Sequence, residues 1–301
     1  MKKELGKAYI ALGLVSLLWG TTFIASRVGV QEMPGLFLSG VRQFVSGLIV
    51  VAFFLVKGYK LPDLNSLKRI SIQGILLLCV ANGLSTWSLE YISGGLAAVI
   101  AALMPLFISF ISIWILKTGK ITRWMMAGLL IGFSGIVIIF YDYLDFFTNK
   151  SFAFGVGLAI VSTVSWAAGT VYSTRKVLPV DILFNVGLQM LVAGVITLFI
   201  CLLSGKYVNL ANAGNASLYS LLYLVLFGSL IAYSAFVFAV SKLPATLVSI
   251  YAYINPIVAV LLGWLLLQEK LNTNMILGTL VTLGGVYLVS REFKKQRIIK
   301  P

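Results

Sequence analysis

GLFLSGVRQFVSGLIVVAFFLV, residues 35–56, is a run of 22 residues that carries a single charge, Arg42. As a helix rising ~1.5 Å per residue it reaches about 33 Å, enough to cross a hydrocarbon core of ~30 Å. Residues 182–204, ILFNVGLQMLVAGVITLFICLLS, read the same way with no charge at all. Adding 147 to a position in the first run maps Gly40 onto Gly187 and Gly47 onto Gly194, so one run repeats the other.

Solid apolar stretches of this length recur along all 301 residues. Hydropathy places ten helices at roughly 8–30, 35–56, 70–89, 94–116, 124–141, 152–174, 182–204, 217–240, 245–267 and 273–290. The chain is 60% hydrophobic and only 11% charged, far below the ~25% charge of soluble domains. An outer-membrane barrel would show ~10-residue alternating segments instead. Helices are the remaining way to satisfy a backbone in lipid, and the fold class is an all-α membrane protein.

The duplication extends beyond the two opening runs. The 147 offset also maps Trp19 to Trp166 and Ser26 to Ser173, while 151 maps Pro105 to Pro256 and 150 maps Gly128 to Gly278 and Gly135 to Gly285. Two repeats, 8–147 and 152–292, follow, each of five spans. Five is odd, so the second repeat is expected to enter the membrane from the opposite side. Inverted repeats are a transporter architecture with a substrate site near the midplane.

The net charge of +14 would hint at nucleic acid in a soluble protein, but its distribution says otherwise. Eighteen of the 23 basic residues fall on one side of the predicted spans. They are Lys2, Lys3 and Lys7, then Lys57, Lys60, Lys68 and Arg69, then Lys117, Lys120 and Arg123, then Arg175, Lys176 and Lys242, and last Arg291, Lys294, Lys295, Arg297 and Lys300. Lys150, Lys206 and Lys270 take the other side. By the positive-inside rule both termini are expected in the cytoplasm of a multi-pass inner or plasma membrane protein. The opening Lys2-Lys3 and its apolar run read as a first span rather than a cleavable signal, because the run is ~20 residues long and carries Arg27 near its end. Cys79 and Cys201 sit in predicted spans as packing residues. With no His and no CxxC, neither a metal nor another cofactor is expected.

The stretch Leu17-Leu18-Trp19-Gly20-Thr21-Thr22-Phe23, then Pro34 and Arg42, resembles the opening of an EamA domain. Leu89-Glu90-Tyr91-Ile92-Ser93 through Pro105 resembles its second part. Ser241-Lys242-Leu243-Pro244-Ala245-Thr246, Asn255-Pro256, Gln268-Glu269-Lys270 and Gly284-Gly285 repeat it. The resemblance covers nearly the whole chain and implies a ten-helix member of the drug/metabolite transporter superfamily that moves small metabolites, often as an exporter of amino acids or related compounds. Two departures stand out: the family's Gly-Glu after the fourth span is Thr118-Gly119-Lys120 here, and Gln189 stands where the first half has Arg42.

Depth arithmetic locates a candidate site without the family. Trp19 lies 12 residues from Lys7 and 13 from Glu32, about 18 Å from either flank. Asn82 and Tyr233, related by the 151 offset, fall at similar depth, as do Met104 with Pro105 and Asn255 with Pro256. Each proline frees a carbonyl four residues earlier, at Ala101 and Ala252, which lipid cannot satisfy. The substrate-binding candidates are Trp19, Arg42, Asn82, Met104, Trp166, Tyr233 and Asn255, with helix breaks at Pro105 and Pro256. The rival reading makes Trp19 and Trp166 packing residues, the asparagines interhelical glue and the prolines kinks. Arg42 either binds a substrate carboxylate or pairs with Glu90 or Glu32, and Arg27 snorkels or pairs with Glu32. No Asp or Glu falls in mid-span, so no buried proton relay is visible.

Enzymatic readings lack their chemistry. The sequence has no G-x-x-x-x-G-K-[ST] loop, no His for a triad or HExxH site and no EF-hand run. A channel would want a ring of charges or a filter motif. The expected function is secondary transport of small metabolites such as amino acids, or of amphipathic drugs, around an aromatic-lined midplane cavity. Channel, non-transporting scaffold and membrane enzyme are the alternatives. The expected partners are the small-molecule substrate and the bilayer, not nucleic acid, and oligomeric state is left open, a monomer included. Tags at both termini are expected to report cytoplasmic, and Asn149→Cys and Asn212→Cys to label from outside; an external N-terminus would overturn the inverted-repeat assignment.

Overall fold

The computed structural model describes residues 2–114, 122–141, 148–173, 178–243, 248, 251–269 and 271–298. The regular structure among those residues is helical, with no strand among them. The helices are α1 (Lys2–Gly29), α2 (Gly35–Val56), α3 (Leu64–Ser88), α4 (Gly94–Ala101), α5 (Met104–Trp114), α6 (Arg123–Tyr141), α7 (Lys150–Ser173), α8 (Ile182–Ser204), α9 (Asn215–Lys242), α10 (Tyr251–Leu267) and α11 (Thr273–Ile298). Among the described residues seven helical segments are long and apolar enough to cross a membrane, and Arg123–Ile139, Ile254–Leu267 and Thr273–Val289 are shorter apolar helices. The predicted ends at 115–116, 174, 245–247 and 249–250 lie outside the described residues. So do Lys117 to Lys120, Arg175, Lys176, Pro244 to Thr246, Lys270 and Lys300.

Helix ends follow local chemistry. Asp63 caps α3, its Oδ1 accepting from the Asn65 and Ser66 amides at 3.0 Å each and its Oδ2 from Ser66 Oγ at 2.7 Å. Those hydrogen bonds, the Ser66 hydroxyl first, hold the Asp63 carboxyl below its ordinary value. Asp181 caps α8 in the same way through Leu183 N and Phe184 N. Gly205 ends α8 with a left-handed φ of 66°, and Lys206 N bonds back to Cys201 O at 3.1 Å. α11 runs past the predicted 290 because its charged continuation stays helical in water, where Lys295 pairs with Glu292 at 2.5 Å.

The two expected helix breaks, at Pro105 and Pro256, turn out differently. The predicted 94–116 span is broken: a turn at Ala102 and Leu103 separates α4 from α5, whose second residue is Pro105, a position where a missing N–H does no harm. α10, by contrast, runs straight through Pro256.

The bundle buries polar groups and shows oily ones. Arg42, Gln43, Gln189 and Ser46 are buried, whereas Leu17, Phe53, Leu203 and Leu265 are more than half exposed. That is the pattern for a solvent of hydrocarbon. Lipid tails give apolar side chains no reason to gather, so the tightest pairs rest on backbone approach at small residues. α2 packs most extensively on α8, and α6 on α11. A Cβ on Gly47 would sit 2.3 Å from Leu191 N, and one on Gly285 2.2 Å from Gly132 N. Gly13 has nothing within 4 Å. Gly47→Ala and Gly285→Ala are therefore expected to destabilise the protein by about 1–3 kcal/mol. Gly13→Ala should leave the melting temperature in detergent unchanged, and equal melting curves for all three would disprove backbone contact at these glycines.

Candidate functional site

Two helices widen at matching places. α3 is π-helical over Ile75–Asn82 and α9 over Leu224–Ile231, an offset of 149 residues. A π turn shifts the hydrogen-bond ladder by one residue and leaves carbonyls short of an intrahelical donor. Neighbouring helices supply donors. Ser162 Oγ and Ser165 Oγ of α7 donate to Ala81 O at 2.7 Å and Leu76 O at 2.8 Å. Trp19 Nε1 of α1 donates to Gly228 O at 3.2 Å, while Ser46 Oγ of α2, which donates to Arg42 O at 2.8 Å, lies 3.5 Å from Val225 O.

This wiring anchors an aromatic layer. The Trp19 ring meets Trp166 edge-on at 5.2 Å, and Tyr251 and Phe236 at 5.0 Å each. Phe236 stacks on Tyr233 at 6.1 Å. Tyr251 donates its hydroxyl to Met104 Sδ at 3.1 Å. Trp166 Nε1 is buried and has no hydrogen-bond acceptor among the described residues.

Above the layer, toward the end where α1 finishes, lies a cavity of about 750 Å³ free of protein atoms, measured to its open mouth. Six of the seven sequence candidates line it: Trp19, Arg42, Asn82, Met104, Trp166 and Asn255. Tyr233 does not. Its hydroxyl is turned away and donates to Gln189 Oε1 at 2.5 Å, and Gln189 Nε2 in turn donates to Gln73 Oε1 and Asn185 Oδ1 at 3.0 Å each. That network borders a second recess, lined by Gln73, Asn185, Gln189, Phe236 and Lys242, toward the end where α1 begins. The cavity and the recess share no lining residue, and the rings of Trp166, Tyr233 and Phe236 lie between them. Neither proline lines the cavity, although Met104 and Asn255 beside them do.

The asparagines are partly committed. Asn82 Oδ1 accepts from Ser39 Oγ at 3.0 Å and Gln43 Nε2 at 3.1 Å, while its Nδ2 makes no bond to a described residue. Asn255, in the amide orientation its surroundings require, donates to Ser16 O at 2.9 Å and Tyr251 O at 3.1 Å. The expected carboxylate pairs do not form. Glu90 Oε1 accepts from Gly35 N at 2.5 Å and Glu32 Oε2 from Gly214 N at 2.8 Å. Glu269 accepts from Gly94 N at 3.0 Å and Gly95 N at 3.4 Å. Each carboxylate caps a helix N-terminus, where four orphan donors and the helix dipole attract it. Arg27 donates to Leu89 O instead of pairing with Glu32. Arg42 is the one charged side chain among the described residues of the cavity wall, and its Nε donates to Ser229 Oγ at 2.7 Å. No group of His, Cys, Asp and Glu among the described residues could hold a metal ion.

The sequence reading missed Thr22, Ser26, Ser85, Thr86 and Ser162, which share the cavity wall. Helical spacing from its own candidates would have found most of them, since 19, 22 and 26 lie on one face, as do 82, 85 and 86.

The comparisons with known proteins agree with this architecture. The EamA-like transporter family model matches residues 6–141 and again 153–291. The uncharacterized inner membrane transporter YedA of Escherichia coli K12 is 35% identical over 291 residues, covering 96% of this chain and 92% of that protein. The uncharacterized transporter YoaV of Bacillus subtilis 168 is 26% identical over 293 residues, covering 96% and 99%. A solved crystal structure superposes with a TM-score of 0.68 at 18% identity, covering 95% of this chain and 98% of the other. The chain belongs to the EamA-like transporter family.

Proposed function

We propose that this chain is a secondary transporter of small metabolites such as amino acids or amphipathic drugs, working as an exporter in the inner membrane. Both termini would be cytoplasmic, and ten spans would form two inverted five-helix repeats. The observation that carries the reading is the cavity at mid-depth, walled by α1, α2, α3, α4 and α5 from one repeat and α7 and α10 from the other, and closed at one end by an aromatic layer. A channel would need an open path through that layer. Packing supports the inverted repeat: α1 lies against α9 and α10, and α7 lies against α3 and α5. The paired π segments support it too. In this reading the rings of Trp166, Phe236 and Tyr233, with the Tyr233–Gln189 bond, form the closed gate, and rocking of one repeat against the other opens it to the second recess.

Reconstitution in liposomes tests the activity: efflux of a panel of amino acids and amphipathic drugs should depend on the protein and saturate. Because Glu90 and Glu269 act as helix caps, and a glutamine oxygen still accepts from an N–H, Glu90→Gln and Glu269→Gln should retain transport. Complete loss in either variant at normal membrane levels would instead make that carboxylate a proton carrier. Asn255→Ala removes two hydrogen bonds between α10, α1 and its own turn, so its melting temperature should fall by the equivalent of about 1–3 kcal/mol, with substrate affinity within about 3-fold of wild type. A tenfold loss of affinity with unchanged stability would reassign Asn255 to direct substrate contact.

A further inference from the structure

The charge inside the cavity is one-sided. Among the described residues its wall holds Arg42 and no carboxylate. Arg42 is 4% exposed, and a guanidinium carries five N–H donors. One of them is met by Ser229 Oγ at 2.7 Å, and among the described residues no carboxylate reaches it. Among the described residues the acids on the cavity side of the aromatic layer are Glu32, Glu90 and Glu269, and they are bound to the amides of Gly214, Gly35 and Gly94. Glycine at 228 leaves the guanidinium its room, since a Cβ there would stand 2.7 Å from Nη2. A buried cation without a counter-ion is costly in a low dielectric and is normally paired.

We infer that the ligand supplies the missing charge: the cavity binds an amphipathic organic monoanion, its carboxylate on the free fork of Arg42 and its apolar body against Trp19, Trp166 and Met104. This inference rests on reading the cavity as the transport site. An Arg fork takes a carboxylate through two parallel N–H bonds, and the Asn82 amide faces the same space. A cationic ligand would meet the field of Arg42 with no acid to answer its own charge. The energetics follow from the same count. An anion leaving a cell that is negative inside runs down the electrical gradient, and 100 mV shifts its distribution about 50-fold with no coupling ion. That matches a set of spans with no mid-membrane acid.

Three probes with one aryl body and charges of −1, 0 and +1 separate the possibilities: 3-phenylpropanoate, 3-phenylpropanamide and 3-phenylpropan-1-amine. Binding to the purified full chain should favour the acid over both others by at least tenfold. Arg42→Gln should abolish that preference while leaving amide affinity within about 3-fold, and Arg42→Lys should keep part of it. In proteoliposomes a potential negative inside should speed efflux of the acid and leave the amide unaffected. Equal affinity for acid and amide in the wild type overturns the inference, as does a preference that survives Arg42→Gln. Should Arg42→Gln fail to fold, the wild-type ranking and Arg42→Lys decide alone. Trp19→Ala distinguishes the two levels: weaker binding of every probe with no acid preference sinks the anion assignment and keeps the cavity, whereas unchanged binding of all three removes the cavity reading and the anion with it.

Discussion

A carbonyl released from its helix inside a bilayer has no water to turn to, and much of this molecule is arranged around that constraint. The π segments of α3 and α9 change their ladders at the depth of the cavity, and carbonyl oxygens within them accept from Ser162, Ser165 and Trp19 of other helices. Each bond ties two helices at a fixed height. Trp19 shows the consequence most clearly, because the hydrogen bond that satisfies Gly228 O also fixes the plane of the ring around which Trp166, Tyr251 and Phe236 gather. The aromatic layer thus inherits its position from the backbone geometry of α9.

The same accounting applies at helix ends. Glu32, Glu90 and Glu269 leave the segments that carry them and bind the first amides of other helices, so that α1 is tied to α9, α3 to α2 and α10 to α4 on one face of the bundle. Within the bundle the glycine seams of α2 with α8 and α6 with α11 let backbones touch. The cavity is walled largely by α1, α3, α4, α7 and α10, and there too a glycine brings α1 close to α10, since a Cβ on Gly20 would sit 3.2 Å from Asn255 O.

Much of this was legible in the sequence. Run length gave the helices, the 147 to 151 offsets paired the halves and Trp19 with Trp166, and counting residues from the flanking charges placed Trp19, Asn82, Tyr233, Met104 and Asn255 at one depth. Depth says nothing about azimuth, which is why Tyr233 was grouped with residues whose cavity it does not line, although its ring packs on Trp166. A π segment changes the rotation of every residue after it, and Tyr233 follows one directly. Nothing in the hydropathy of Leu224–Ile231 announces that widening. The carboxylate caps were equally hidden, since the amides that Glu90 and Glu269 bind are 55 and 175 residues away and carry no side chain to mark them.

The places where the two halves disagree are where the two ends of the cavity part company. Offset 147 relates Arg42 to Gln189, and 151 relates Asn82 to Tyr233. In both halves the second helix bonds the third at this level, through Gln43 Nε2 to Asn82 Oδ1 in one and Tyr233 Oη to Gln189 Oε1 in the other. Yet in the first half the amide pair leaves the neighbouring cation facing open space, while in the second the position of that cation is taken by a glutamine whose two donors and acceptor oxygen are engaged by Gln73, Asn185 and Tyr233. A neutral, hydrogen-bonded residue can be buried at small cost; an arginine with one partner cannot. The substitution of Gln for Arg therefore leaves no buried cation at position 189, and in the proposed reading only the Arg42 end needs a ligand to answer its charge.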